Sequence, residues 1–277
     1  MGGRTDRRMK STAAWTGVLA AVAIAACAAG CRDRQGGQAQ PAKPAELLLY
    51  CGAGIRPPAE ELAARFERRT GQHVAIDPAG SEILLSRIRI SRLGDLFMPG
   101  ESYYVDQAQQ QNLVSRRAVA CYFIPTILVA KGNPKSVQSL EDLLRPGVKV
   151  AIGNPEACAV GLQTRRIWDK NKLSWEDLRK NVVFQSLTVN ELGTLVKTGS
   201  VDAAIVWDAV AAMYPDSAQA IPIPLERNAI STVEIAVLTT SKSPEAAADF
   251  LRFATSADGR EIFRKHKYSV ELPGSSP

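Results

Sequence analysis

Residues 149–170, KVAIGNPEACAVGLQTRRIWDK, contain a short apolar run, a turn of small residues and an amphipathic segment, in that order. Short apolar runs bounded by turn residues predict buried strands, and apolar residues at every third or fourth position predict helices. The same order recurs elsewhere, as in residues 47–51 followed by residues 58–69. Strands that alternate with helices in this way predict an α/β fold with mainly parallel sheets.

The succession of these units predicts two lobes, each a mainly parallel sheet flanked by helices. The apolar run 121–130, CYFIPTILVA, and the paired prolines of residues 222–224 predict the two hinge crossings between the lobes. Ligands of such folds lie between the lobes, at the carboxyl ends of the strands. The predicted boundaries are 46–123 with 226–270 for the first lobe, 124–225 for the second, and 271–277 for a short tail.

The N-terminal segment has the order of a secretory signal. A basic stretch, residues 1–10, precedes an Ala-, Val- and Ile-rich run that ends at Gly30. The small residues directly before Cys31 resemble the bacterial lipobox, whose cysteine is acylated and becomes the mature N-terminus; Cys27 is a second candidate. We therefore expect a lipoprotein-type signal peptide over residues 1–30 and a lipid anchor at Cys31. The alternatives are a plain cleaved signal and an uncleaved anchor.

The composition is that of a globular protein, with 45% hydrophobic and 22% charged residues. The segment 31–45, rich in Gly, Gln, Pro and Ala, predicts a flexible tether. Part of the formal charge of +6 lies in the leader, and the remaining basic residues are dispersed. This pattern predicts no nucleic-acid partner. Together with the leader, it predicts a periplasmic or other extracytoplasmic protein tied to a membrane.

No set of catalytic or metal-ligating residues stands out. The histidines, His73 and His266, lack metal-ligand spacing, and neither a phosphate-binding loop nor a nucleophile elbow is present. Beyond the leader, Cys51, Cys121 and Cys158 are an odd number, which allows at most one disulfide among them. The sequence therefore predicts a protein that is not an enzyme and has neither a cofactor nor a directly coordinated metal. The alternative, a nucleophile at Cys51 or Cys158, needs a base, and neither histidine is placed to serve.

A strand, a turn of small residues and a helix start recur at four places along the chain. In two of them, Ser81 is placed as the helix N-cap and Thr188 opens a capping-box pattern. A helix N-terminus offers unpaired N–H groups and the positive end of the helix dipole, and small residues let the backbone approach a ligand closely. Several such ends that converge on one cleft would bind a dianion without charged side chains. The turns are residues 51–55, 79–82, 158–161 and 188–191.

These turns belong to a longer resemblance, which covers nearly all of residues 46–270. The order of its segments resembles that of periplasmic molybdate-binding proteins, and the segment 152–161 is the most specific part. The resemblance implies a two-lobed, type II periplasmic-binding-protein fold. It also implies a monomer that captures molybdate or tungstate and delivers it to the permease of an ABC importer. The segments that carry the resemblance are 51–56, 69–71, 80–81, 94–97, 152–161, 201–208 and 261–266.

In that family the anion is held by hydroxyl groups, backbone amides and one aromatic hydroxyl. The position of the first loop's serine is Gly54 here, which leaves a backbone donor, and Ser81 matches the second loop's serine. Val160 and Val189 match the amides of the third and fourth loops, and Trp207 takes the tyrosine's position with an indole N–H. Neighbouring positions carry secondary candidates, which are Ile55, Arg56, Gly80 and Cys158.

Two hydroxyl donors of the family are absent here, which weakens the case for molybdate more than the case for an anion. Sulfate and phosphate are therefore alternative ligands. A partly protonated phosphate needs an acceptor carboxylate, for which Glu82 and Asp208 are near enough in sequence. A further alternative is a sensor or interaction domain that keeps the fold but binds no ligand.

Overall fold

The computed structural model of the protein describes residues 46–274; the predicted signal peptide, lipid anchor and tether lie outside them. Over the described residues, ten strands alternate with nine α-helices. The strands are β1 (Leu47–Gly52), β2 (Val74–Ala79), β3 (Leu96–Met98), β4 (Val114–Phe123), β5 (Pro125–Ala130), β6 (Val150–Gly153), β7 (Val182–Ser186), β8 (Ala203–Trp207), β9 (Ala218–Pro222) and β10 (Ser231–Leu238). The helices are α1 (Arg56–Thr70), α2 (Ser81–Ser91), α3 (Ser102–Gln110), α4 (Ala159–Lys170), α5 (Trp175–Asn181), α6 (Val189–Lys197), α7 (Asp208–Ala211), α8 (Pro244–Thr255) and α9 (Ala257–Lys265). None of these helices is long and apolar enough to cross a membrane.

The strands form two five-stranded sheets, ordered β2-β1-β3-β10-β4 and β7-β6-β8-β5-β9. In the first sheet β1 pairs in parallel with β2 and β3, and β10 runs antiparallel to β3 and β4. In the second sheet β6 pairs in parallel with β7 and β8, and β5 runs antiparallel to β8 and β9. All but one strand of each sheet therefore point the same way. The predicted fold class, two mainly parallel sheets flanked by helices, is confirmed. We refer to each sheet with its helices as a lobe.

The first passage of the chain between the sheets lies at Ile124. β4 ends at Phe123 in the first sheet and β5 begins at Pro125 in the second, so the apolar run 121–130 forms two strands rather than one continuous strand. Asp208 holds the break: its N–H donates to the Ile124 carbonyl at 2.9 Å, and its carboxylate accepts the Ile124 N–H at 3.3 Å. The chain returns to the first sheet between β9 and β10.

Helix α1 shows how the helices are fixed to the first sheet. Leu62 and Phe66 are buried one turn apart on the same face, and the Phe66 ring meets Phe250 of α8 edge-on at 5.2 Å. Burying an apolar side chain of this size contributes about 1.5–3 kcal/mol. The helix ends at Gly71, whose φ of 75° and N–H bond to the Glu67 carbonyl form a left-handed C-cap. The packing holds the N-terminus of α1 near the carboxyl end of β1, from which a 3-10 turn, Ala53–Ile55, separates it.

Candidate functional site

A small cavity lies between the two sheets, where strands of both sheets end. Its volume is about 20 Å³. Small residues in the turns that precede helices make up most of its walls, and two aromatic side chains complete them. The lining residues are 52–54, 79–81, 158–160 and 187–189, with Gly100, Phe123 and Trp207.

All four predicted turns line this one cavity. Two of the secondary candidates do not: Ile55 is fully buried in the core, and Arg56 faces solvent in an ion pair with Glu60 at 2.7 Å. The structure thus assembles the main candidates and places these two apart from them. The candidates that line the cavity are Gly54, Gly80, Ser81, Cys158, Val160, Val189 and Trp207.

The turns place helix N-termini around the cavity. Helices α2, α4 and α6 begin at it directly, and α1 begins after the 3-10 turn. No side chain caps any of these N-termini, so most of their first-turn N–H groups keep their capacity to donate. The helix dipoles make the cavity electrostatically positive without a formal charge.

Ser81 is held so that its hydroxyl can donate into the cavity. The prediction that it caps α2 is wrong, because Gly80 occupies the N-cap position and Ser81 is the first helical residue. The Ser81 Oγ accepts the N–H of Gly100 at 3.1 Å, and the residue is only 3% exposed. Because this bond uses the oxygen as an acceptor, the hydroxyl hydrogen is available to a ligand.

The start of α6 also differs from its prediction. Thr188 occupies the N-cap position but its side chain makes no capping bond. Ser186 Oγ instead accepts the Thr188 N–H at 3.0 Å and donates to the Glu191 carboxylate at 2.5 Å. The predicted capping box between Thr188 and Glu191 is therefore wrong, because Ser186 binds the Thr188 N–H and the Glu191 carboxylate that the box would join, and the Thr188 side chain makes no capping bond.

Glycine residues let the two lobes approach each other at the cavity. A Cβ atom on Gly80 would lie 2.4 Å from the Leu187 carbonyl oxygen. A Cβ atom on Gly54 would lie 2.8 Å from Val189 Cγ1 and 3.2 Å from Trp207 Cδ1. At Gly80 the neighbour is a backbone atom, so this arrangement excludes a side chain, whereas at Gly54 a side chain would require Val189 or Trp207 to shift.

Trp207 forms an aromatic wall of the cavity. The residue is 2% exposed, and its ring stacks on Phe123 with centroids 4.6 Å apart and planes 5° from parallel. The indole Nε1 lies 3.5 Å from the Cβ position of Gly54, so the polar edge of the ring faces the first loop. Within residues 46–274 the indole N–H has no protein acceptor, which leaves it available to a ligand.

Hydrogen bonds cross between the lobes beside the cavity. The Glu82 N–H donates to the Ala157 carbonyl at 3.3 Å, and the Asn190 side-chain amide donates to the Ala53 carbonyl at 3.4 Å. Each bond joins an element of the first lobe to one of the second. The structure is therefore a closed form, with the cavity lying between the lobes.

No acidic or basic side chain is among the lining residues that the structure describes. The Glu82 carboxylate accepts a bond from Arg89 at 3.0 Å instead. The Asp208 carboxylate accepts the N–H groups of Ile124 and Ala209; burial raises its pKa to about 6, and these bonds oppose the shift. Glu82 and Asp208, the carboxylates predicted as possible acceptors for the hydroxyl of a protonated ligand, therefore lie outside the cavity wall.

The cysteines Cys51, Cys121 and Cys158 are free and buried. Cys158 lines the cavity; burial raises its pKa to about 11, although the nearby N–H groups of Gly161 and Val160 lower it. Burial also raises the pKa of Cys51 and Cys121. All three thiols are protonated at neutral pH, so none has the thiolate character of a nucleophile. Within the described residues, no cluster of His, Cys, Asp or Glu side chains is arranged to hold a metal.

Gly100 and Phe123 line the cavity although the sequence did not predict them. Gly100 follows the end of β3, which is the same pattern of strand and small residue that identified the four turns, so this pattern could have found it. Phe123 lies inside a run of apolar residues, and no local signal distinguishes it from a core residue.

Comparison with known proteins identifies the family. Residues 47–269 match the sequence profile of the bacterial extracellular solute-binding proteins. The chain belongs to this family. It is therefore an extracytoplasmic solute-binding protein of the kind that serves ABC importers.

This solute-binding protein is 26% identical over 251 residues to the molybdate-binding protein ModA of Mycobacterium tuberculosis, an alignment that covers 89% of this chain and 94% of that protein. The predicted resemblance to molybdate-binding proteins is thus confirmed. Among solved structures, the periplasmic molybdate-binding protein of Azotobacter vinelandii has a TM-score of 0.70 at 17% identity, covering 82% of this chain and 100% of that chain. The sulfate-binding protein SubI of Mycobacterium tuberculosis has a TM-score of 0.74 at 17% identity, covering 82% and 88%. These structural likenesses show the two-lobed fold.

Proposed function

We propose that this solute-binding protein captures a fully ionised tetrahedral oxyanion, molybdate or tungstate, in the cavity between its lobes. The observation that carries the proposal is the convergence of helix N-termini from both lobes on a cavity without charged side chains. Helix dipoles and N–H groups bind an anion without a neighbouring cation. The proposed donors are the backbone amides of Gly54, Ser81, Val160 and Val189, the Ser81 hydroxyl and the Trp207 N–H.

The volume of the cavity supports a compact guest. A volume of about 20 Å³ exceeds the roughly 10–15 Å³ that one water molecule needs. It is far below the several hundred cubic ångströms of a pocket for a drug-sized ligand. An ion of a few heavy atoms therefore suits the closed form, whereas a larger organic ligand does not.

The chemistry of the walls supports an anion without a proton. Phosphate is partly protonated at neutral pH, and its hydroxyl needs an acceptor. Neither Glu82 nor Asp208 lies in the cavity wall, so this hydroxyl would be buried without an acidic partner. A hydrogen bond to a charged group contributes about 1.5–3 kcal/mol, against about 0.5–1.5 kcal/mol for a neutral one, so the lack of a carboxylate in the wall favours molybdate or tungstate over phosphate.

Sulfate is the second candidate, because it is also a dianion without a proton at neutral pH. The walls described above bind it by the same donors. The discrimination between sulfate and the larger molybdate ion then depends on cavity size, since every buried N–H group must reach an oxygen of the ligand.

Closure of the lobes is part of the proposed cycle. An anion that bonds to helix N-termini of both lobes stabilises the closed form relative to an open one. We propose that the protein, as a monomer anchored by a lipid at Cys31, then delivers the anion to the permease of an ABC importer. No enzymatic step and no cofactor enter this cycle.

Thermal unfolding of the anion-free protein in the presence of molybdate, tungstate, sulfate or phosphate tests the proposal. A ligand that binds only the native state raises the unfolding temperature. We expect molybdate and tungstate to raise it at low concentration, sulfate to require more, and phosphate to have no effect beyond that of sodium chloride at the same ionic strength. An equal shift by phosphate would contradict the proposal. The absence of a shift with every anion would favour a sensor or interaction domain.

A further inference from the structure

Glu101 is a buried carboxylate next to the cavity that plays no direct part in the proposed ligand site. It follows Gly100, a lining residue, and its side chain is 6% exposed. It occupies the N-cap position of α3 but makes no capping bond there. A buried carboxylate needs charged or hydrogen-bonding partners, so its partners indicate what the residue does.

Those partners come from both lobes. The Gln163 side-chain amide donates to Glu101 Oε2 at 2.6 Å, and Arg166 Nη1 donates to Oε1 at 3.1 Å. Both residues lie on α4 of the second lobe. The Ser231 hydroxyl of the first lobe donates to the same carboxylate. Glu101 therefore joins α4 to the first lobe through a charged contact whose carboxylate is buried and whose guanidinium, on Arg166, is 43% exposed.

The contact is connected to the cavity at two points. The first residues of α4 line the cavity, so Glu101 acts on the helix that carries the Val160 amide. The Gly100 peptide is the second connection, because its N–H donates to Ser81 Oγ at 3.1 Å, and its carbonyl oxygen lies 2.7 Å from Ser231 Oγ, whose one hydrogen it shares with the Glu101 carboxylate. Because Glu101 follows Gly100 directly in the chain, the latch carboxylate is one residue away from the peptide that bonds to the proposed Ser81 donor.

We propose that Glu101 is a positioning residue that latches α4 of the second lobe to the first lobe, whether or not an anion is bound. We call the contact of Glu101 with Gln163, Arg166 and Ser231 the inter-lobe latch. By holding the α4 N-terminus against Ser81, the latch keeps donors of both lobes together and slows release of the bound anion. The effect on release rests on the proposed function, but the effect on lobe separation does not.

Neighbouring residues on α4 distinguish this contact from an ordinary surface ion pair. Arg165, which is 44% exposed against 43% for Arg166, pairs on its own helix with Asp169, whose side chain is 59% exposed against 6% for Glu101, so the difference lies in the carboxylate. Such exposed pairs contribute little. Loss of one partner from a buried pair has a large effect, because it leaves the other charge uncompensated.

The distance between the lobes in the anion-free protein tests the latch directly. Spin labels are attached at Arg68→Cys and Lys180→Cys, which replace exposed residues of the first and second lobes, and double electron–electron resonance measures their separation. We expect Glu101→Gln to lengthen the mean separation and to broaden its distribution. The matched control is Arg165→Gln, which should leave the separation as in the unsubstituted protein. A Glu101→Gln distribution that superimposes on that of the control would overturn the proposal.

A second variant covers failure of Glu101→Gln to fold. Arg166→Gln removes the other charge from a side chain that is 43% exposed, and it should lengthen the separation in the same way. The double variant should add little to either single one, because both act through one contact. If Arg166→Gln folds and leaves the separation unchanged, the latch is likewise overturned.

Stopped-flow measurements with molybdate add a kinetic readout. We expect Glu101→Gln to raise the release rate about tenfold or more while the association rate changes by less than about twofold, as for most changes that act after encounter. Arg165→Gln should change neither rate. If the unsubstituted protein binds no oxyanion, the proposed function fails while the spin-label distances still decide the latch. If it binds molybdate and Glu101→Gln releases it at the control rate, the latch fails and the proposed function stands.

Discussion

The cavity and the inter-lobe latch lie at the same junction between the lobes, but they bury different kinds of polar group. The lining residues of the cavity carry backbone N–H groups, the hydroxyl-bearing side chains of Ser81 and Thr188, the Cys158 thiol and the Trp207 indole, without any charged side chain. In the latch a formal charge on Glu101 is buried and neutralised by Arg166 across the junction. The partner of the Glu101 charge is thus part of the chain. The proposed partner of the cavity donors is the bound solute.

This difference separates two contributions to closure. The latch has the same partners in every closed molecule, so it favours closure by a constant amount. The cavity favours closure only when an anion satisfies its donors, since unsatisfied donors buried between the lobes cost free energy. Changes in the cavity should therefore alter ligand binding without altering the anion-free protein, and changes in the latch should alter both.

The largest effect is expected for Ser81→Asp, which places in the cavity a carboxylate like that of Glu101 in the latch. A carboxylate at this helix N-terminus is favourable for α2, so the anion-free protein should remain as stable as before. A second anion in the same cavity is repelled by about 4 kcal/mol or more at an effective dielectric constant near 20. Molybdate affinity, measured by isothermal titration calorimetry, should fall at least about 1000-fold.

Ser81→Asn is the matched control for this change, because the asparagine side chain has nearly the same size as that of aspartate but no charge. It should weaken molybdate binding by about tenfold, because the anion loses the hydrogen bond from the Ser81 hydroxyl. Equal losses in the two variants would show that size rather than charge decides the result. The absence of charged side chains from the cavity would then not be what determines anion binding.

A smaller effect is expected for Gly80→Ala, which tests whether the lobes must approach as closely as the structure places them. The added Cβ would lie 2.4 Å from the Leu187 carbonyl oxygen, a backbone atom of the second lobe. Overpacking of this kind costs about 1–3 kcal/mol, so molybdate affinity should fall about 5- to 150-fold. Unfolding of the anion-free protein should change less, because its lobes can relieve the clash by separating slightly, whereas binding of the anion requires donors of both lobes to stay together.

Gly54→Ala is the comparison for this variant. Its Cβ would lie 2.8 Å from Val189 Cγ1, a side-chain atom that a change of rotamer can move. The loss of affinity should therefore be smaller than for Gly80→Ala. The reverse order, or an unchanged affinity for Gly80→Ala, would mean that the anion is bound with the lobes further apart.

Much of the fold was predictable because successive units repeat one pattern. β1 with α1 and β6 with α4 each combine a short apolar run, small turn residues and a helix with regular apolar spacing. Helix α3, Ser102–Gln110, has a polar, Gln-rich sequence and was missed. The break at Ile124 was also missed, because it depends on Asp208, which is 84 residues away.

The candidate site was predictable to the extent that it depends on strand ends. Gly54, Ser81, Val160 and Val189 each follow a strand, and the topology of the sheets brings such ends together. Their role as ligands stays a prediction. The latch had no local signal, because Glu101 and Arg166 are 65 residues apart and neither belongs to a recognisable motif. Pairings of this kind depend on how the lobes meet, which residue patterns do not reveal.

The smallest effect is expected for Trp207→Phe, which removes one donor from the cavity and keeps an aromatic ring stacked on Phe123. Loss of one hydrogen bond of about 1 kcal/mol should weaken molybdate binding about fivefold in calorimetry. The control is Trp168→Phe, because the Trp168 indole N–H is buried in the second lobe without a partner; this variant should change the unfolding temperature but not the affinity. If Trp207→Phe binds molybdate as tightly as the control, Trp207 only fills space. Anion binding in the cavity would then depend on backbone amides and Ser81 alone. The cavity would differ even more from the latch, whose contacts are all made by side chains.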